Sequence, residues 1–132
     1  MSQENVALAH RTYEAFNRRD LDEVLRVFDP EVEVHDPPEM PDSAVHRGHE
    51  AVMRDWQRTF DSFEEFSIEI EECRDLGNEL LVFLRYRGRG LGSGVTVDAQ
   101  VAHIGTVKDG KLLRLRQFLD RQQALEAVGL RE

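Results

Sequence analysis

Apolar residues recur every three to four positions at the start of the chain. Val6, Ala9, Tyr13 and Phe16 share one helical face, which predicts an amphipathic helix over residues 3–18. A second helix opens at Asp20, whose side chain can cap it, with Glu23 placed as in a capping box. Leu21, Val24, Leu25 and Phe28 supply its apolar stripe, and Pro30 closes the segment. Residues 31–36 (Glu-Val-Glu-Val-His-Asp) then alternate strictly, the mark of a half-buried strand. A Pro-rich loop follows over 37–45, and a third helix runs from about Gly48 to Phe60 with Val52, Trp56 and Phe60 at intervals of four.

From there the period changes to two. Phe66, Ile68 and Ile70 alternate with Ser67, Glu69 and Glu71; after Gly77-Asn78, Leu80 to Arg87 begins apolar on both faces, as a central strand does. Gly88 to Gly94 turns the chain into a long strand near 95–107, Lys108-Asp109-Gly110-Lys111 marks a hairpin, and 112–119 form the last strand. Arg121 to Val128 reads as a short terminal helix stopped by Gly129. Helices first and a strand meander afterwards predict one α+β domain over 1–132: three N-terminal helices packed in a strongly curved antiparallel sheet that encloses a pocket.

Composition narrows the function classes. Lys and Arg total 17 against 26 Asp and Glu, and the net charge of −9 repels nucleic-acid backbones and anionic membranes alike. Cys73 is the only cysteine, which excludes an internal disulfide and a cysteine-rich zinc site. No apolar run approaches the roughly 18 residues of a membrane helix, and the first residues show no signal-peptide pattern, so a cytoplasmic protein is expected. Five histidines fit no metal-ligand spacing, and neither metal nor cofactor is expected.

Asp36 is the residue that carries chemistry. Strand alternation sends Val32, Val34 and Asp36 to one side and Glu31, Glu33 and His35 to the other, and the valines mark the inward side. Pro37 and Pro38 end the strand and leave a carboxylate at its mouth. Carboxylates shielded from water serve as bases near neutrality. The competing reading is that Asp36 starts a solvated turn, as Asp before Pro often does.

Tyr13-Glu14-Ala15-Phe16-Asn17-Arg18-Arg19-Asp20-Leu21, the strand end His35-Asp36-Pro37, the helix start His46-Arg47-Gly48-His49-Glu50-Ala51, Asp109-Gly110-Lys111 and the closing segment from Arg121 to Leu130 together resemble the SnoaL-like branch of the nuclear transport factor 2-like superfamily. The resemblance covers nearly the whole chain and implies a cone-shaped α+β fold. It does not fix function, because the superfamily holds isomerases, cyclases, hydrolases, dehydratases and non-catalytic binders. Asp36-Pro37 stands where the related ketosteroid isomerases carry their general base. Their helix tyrosine falls on Thr12, with Tyr13 rotated about 100° away, and their strand aspartic acid falls on Ala102, which disfavours steroid isomerisation. The Asp-Arg-Asp constellation of the limonene-epoxide hydrolases also fails, with Gln117 at one acid and an arginine of Arg85-Tyr86-Arg87 at the other. An isomerase of another kind or a SnoaL-type cyclase, with Asp36 as general base on a small apolar molecule, remains, beside a non-catalytic domain binding such a molecule.

The other candidate ligand contacts are Tyr13 and Phe16 on the first helix, Trp56 on the third, Arg85, Gln100 and Gln117. Trp56 and the first-helix residues line either a pocket wall or plain core. Arg85 interrupts an apolar strand, either to meet Asp36 or a substrate oxygen or simply at the surface. Gln100 shares a face with Asp98, Ala102 and Ile104, the side the resemblance turns to the cavity; Gln117 shares one with Leu113, Leu115 and Leu119. Val95, Val97, Ala99 and Val101 then form an opposite apolar face, which predicts a homodimer through the outer side of the sheet.

Overall fold

The computed structural model describes residues 2–130. The elements, in chain order, are α1 (Ser2–Asn17), α2 (Leu21–Val27), β1 (Phe28–His35), β2 (Val45–Arg47), α3 (Gly48–Ser62), β3 (Phe63–Asp75), β4 (Glu79–Gly90), β5 (Thr96–Lys108), β6 (Lys111–Phe118) and α4 (Arg121–Ala127). Asp20 caps α2 by accepting from the Glu23 N–H at 3.1 Å. The Glu23 carboxylate does not complete a capping box; it binds Arg11 and Arg26 instead. The hairpin at 108–111 closes through Asp109 and Gly110, both at positive φ.

The six strands form one sheet in the order β2-β1-β6-β5-β4-β3. Neighbours from β3 to β6 pair antiparallel in sequence order, as short connections dictate. The first strand does not follow that rule. β1 lies beside β6 and runs parallel to it, so the sheet is mixed rather than wholly antiparallel. The loop expected over 37–45 ends in a strand, β2, which pairs antiparallel with β1 and sets His46 opposite Val34.

Both faces of the sheet carry a core, which explains the double-sided apolar start of β4. On the inner face, Val82, Leu84, Val101 and Leu115 pack with Tyr13, Phe16, Val52 and Trp56 of the helices. On the outer face, Leu81, Phe83, Ala102 and Ile104 pack with Ala124 and Leu125 of α4. Arg121 holds α4 there, donating to the Leu84 carbonyl at 2.9 Å with its guanidinium 5.0 Å from the Phe83 ring centre. Beyond α4 the outer face turns ionic: Arg85 pairs with Asp98 at 2.8 Å and Arg87 with Glu69 at 3.7 Å. No helix among the described residues is long and apolar enough to cross a membrane.

This arrangement corrects the expected dimer stripe. Val101 is paired with Leu84 and Ala99 with Tyr86, all on the side facing the helices. Val97, Ala99 and Val101 therefore lie on the inner face of β5 and form no outer stripe, while Val95 precedes the strand and is exposed.

Candidate functional site

Between α1, α3 and the inner face of the sheet lies a cavity of about 500 Å³, within the size range of small-molecule sites. Its walls are aromatic and aliphatic: Phe16 stands edge-on to Trp56 at 4.9 Å between ring centres, and Phe66 and Ile68 of β3 close the side. Polar side chains interrupt this lining, among them one cluster toward the β1 end and another around His103 on β5, while Asp42, Arg58, Thr59 and Gln117 also border it.

At the end of β1, Asp36, His46 and Asp55 converge. His46 Nε2 lies 3.2 and 3.1 Å from the two Asp36 carboxylate oxygens and 3.5 Å from Asp55 Oδ1. The fold brings them from three places. Asp36 follows the last residue of β1, His46 sits on β2, and Asp55 lies on α3 next to Trp56. Asp36 also accepts the Ala44 N–H at 3.2 Å, while its own N–H donates to the Ala44 carbonyl at 3.0 Å. The two readings of Asp36 are thus compatible: it ties the 36–44 turn and lines the cavity. Burial raises the Asp55 pKa, and neighbouring Asp36 adds to that rise while His46 and Arg58 oppose it. The donor atoms of Asp36, His46 and Asp55 lie within 4.8 Å of one another, close enough to take a metal ion. With two carboxylates and one imidazole, such a set suits a hard divalent cation.

On β4 and β5, His103 bridges two tyrosines. Tyr13 Oη is 2.7 Å from its Nδ1 and Tyr86 Oη is 2.6 Å from its Nε2. His103 is 3% exposed, and burial drives its pKa down to about 3, so the ring is neutral. Burial likewise raises both tyrosines above their ordinary range. They therefore stay neutral hydroxyls instead of ionising.

Of the residues singled out from sequence, Asp36, Tyr13, Phe16, Trp56 and Gln117 border the cavity, the last as the cross-strand partner of His103. Arg85 and Gln100 do not. Both lie on the outer face, where Arg85 binds Asp98 and Gln100 donates to Glu71 at 3.2 Å. The cause is the face of β5. Ala102 and Gln100 pair with Phe83 and Arg85 on the outer side, which leaves Val101 and His103 pointing inward. On α1 the correction runs the other way. Tyr13 enters the cavity, whereas Thr12 donates back to the Leu8 carbonyl at 2.8 Å within its own helix.

Among the cavity residues that escaped the sequence reading as site residues are the polar groups His46, Asp55, Tyr86 and His103. Two left a usable signal. Asp55 sits three residues after Val52 and one before Trp56, which puts an acid on the buried stripe of α3. Tyr86 continues the inward alternation Val82, Leu84, Tyr86 on β4. His46 and His103 left none, because their faces follow from pairings distant in sequence.

The model of the SnoaL-like domain family matches residues 9–115, and the chain belongs to that family. Solved structures agree on the fold. An NTF2-like protein from Burkholderia pseudomallei superposes with a TM-score of 0.81 at 21% identity, covering 96% of this chain and 98% of that one. A putative SnoaL-like polyketide cyclase from a Jannaschia species gives 0.78 at 19% identity, covering 98% and 94%. TerC, co-crystallised with polyporic acid, gives 0.79 at 21% identity, covering 93% and 96%. No curated protein matches the sequence.

Proposed function

We propose that this protein binds a small, largely apolar carbonyl compound in the cavity and catalyses proton transfer at the carbon beside the carbonyl, with Asp36 as general base. One observation carries the reading: a carboxylate–imidazole cluster and two neutral tyrosine hydroxyls line the same aromatic-walled cavity. In the proposed step the Asp36 carboxylate takes the proton, the C–H bond breaks, and its electron pair passes to the carbonyl oxygen as an enolate. A tyrosine hydroxyl then hydrogen-bonds that oxygen. In a dry site such a donor contributes roughly 3–4 kcal/mol of transition-state stabilisation. Asp55, whose pKa burial raises, offers the proton a resting place, and His46 joins the two carboxylates. Return of the proton at another carbon gives an isomerase; attack of the enolate carbon on a second carbonyl gives a cyclase. The cyclase naming of one structural neighbour and the organic ligand of another support a small-molecule site.

A second reading, a non-catalytic binder, is favoured by the ties of Asp36 to Ala44 and His46, which give its carboxylate a turn-fixing role. Exchange of the methyl hydrogens of acetylnaphthalene in heavy water, followed by NMR, separates the two. The enzyme reading expects exchange above the buffer rate that survives a chelator and disappears in Asp36→Asn, while the variant still binds the ketone. Equal exchange in wild type and variant leaves the binder; loss on chelation assigns the mouth to a metal ion.

A further inference from the structure

The Tyr13–His103–Tyr86 chain contains three polar groups and, with the imidazole neutral, three polar hydrogens. A neutral imidazole has one N–H and one bare acceptor nitrogen, and each tyrosine hydroxyl has one hydrogen. Both ring nitrogens are engaged, Nδ1 by Tyr13 at 2.7 Å and Nε2 by Tyr86 at 2.6 Å. One of these bonds must therefore be donated by a tyrosine and the other by the ring. Two hydrogens are spent inside the chain. The third belongs to whichever tyrosine accepts from the imidazole, and both tyrosines line the cavity.

The count depends on His103. A charged imidazole would donate from both nitrogens and release both hydroxyl hydrogens, as would an apolar residue that bonds to neither tyrosine. Only a group with one donor and one acceptor leaves a single hydroxyl hydrogen. The surroundings enforce the neutral ring, since among the described residues no carboxylate bonds His103 and its hydrogen-bond partners are the two hydroxyls.

We propose that His103 is a positioning residue that makes the Tyr13–Tyr86 pair present one hydroxyl donor to the cavity, and that the cavity consequently takes a ligand offering one uncharged acceptor oxygen at that point, a ketone or quinone carbonyl. This deepens the function proposed above and rests on it for the occupant of the cavity. His103 itself touches the tyrosines, not the ligand.

The test uses the full chain and acetylnaphthalene carrying an isotope-labelled carbonyl, whose stretching band is separated by difference infrared spectroscopy. In wild type the bound ketone gives one band, moved to lower frequency than in a hydrocarbon solvent. His103→Gln keeps that band, because an amide also offers one donor side and one acceptor side. His103→Leu frees both hydroxyls and moves or splits the band. An unshifted wild-type band, or a His103→Leu band identical to wild type, overturns the proposal. Nitrogen NMR of labelled histidine gives a reading independent of whether the leucine variant folds. One protonated and one bare ring nitrogen on His103 are expected, and two protonated nitrogens refute the count. Asp36→Asn separates this proposal from the reaction. If the shifted band persists in that variant while no protein catalyses exchange, the reaction fails and the positioning role of His103 stands.

Discussion

The neutral imidazole at the heart of the fold makes acid sensitivity a quantitative test. His103 titrates near 6.5 in an unfolded chain and is lowered to about 3 in the folded protein by burial. Between those values the unfolded state binds a proton that the folded state refuses, so folding loses stability as the pH falls. The contribution of His103 is fully present above about pH 6.5 and declines by about 1.4 kcal/mol for each unit below it, until the folded ring protonates. Lowering the pH from about 7 to about 5 therefore removes about 2 kcal/mol through this one residue. That is a substantial part of the roughly 5–15 kcal/mol that holds a domain together. Urea denaturation of wild type and His103→Gln at both pH values isolates the effect, because every other titrating group is common to the two proteins. The wild type should lose about 2 kcal/mol more than the variant over this interval. Equal losses would mean that the folded protein accepts the proton, and the neutral bridge between the tyrosines would have to be abandoned.

Three further outcomes are expected. Burial raises the folded-state pKa of Asp55 above its unfolded value, so its charge opposes folding at neutral pH; Asp55→Asn should be the more stable protein there in urea, with the difference gone once both states are protonated below about pH 3. A Cβ at position 88 would lie 2.6 Å from the Glu65 carbonyl oxygen and 3.0 Å from the Phe66 ring; Gly88→Ala should cost about 1–3 kcal/mol by forcing β3 from β4, and a thermal melt unchanged from wild type would contradict the tight approach. Asp20→Ala removes the acceptor for the Glu23 N–H and should cost about 1 kcal/mol, read as a melting point lowered by several degrees.

Local pattern determined most of the elements. The spacing of Tyr13 and Phe16, of Val52, Trp56 and Phe60, and the alternation around Val32 and Val34 depend on chain neighbours alone, and the corresponding helices stand where the pattern puts them; the strand holds both valines but begins at Phe28, which the pattern assigns to the second helix, and runs through Pro30. The Asp109-Gly110 turn and the Asp20 cap were legible for the same reason: one residue's backbone freedom or side-chain acceptor settles each locally. Asp36 borders the cavity just past a strand on which two valines mark the inward side. Tertiary structure decided the rest. Alternation shows that β5 has two faces but not which of them meets α1, and since α4 covers part of the other, both carry apolar residues. Only pairing with β4, His103 beside Val82 and Ala102 beside Phe83, turns His103 into the cavity and Gln100 out of it. The β1–β6 pairing joins segments about eighty residues apart, and His46 reaches Asp36 only because β2 folds back on β1. A side chain's type and spacing are properties of the sequence; which neighbours it meets across a sheet is set by register, and register is a property of the assembled fold.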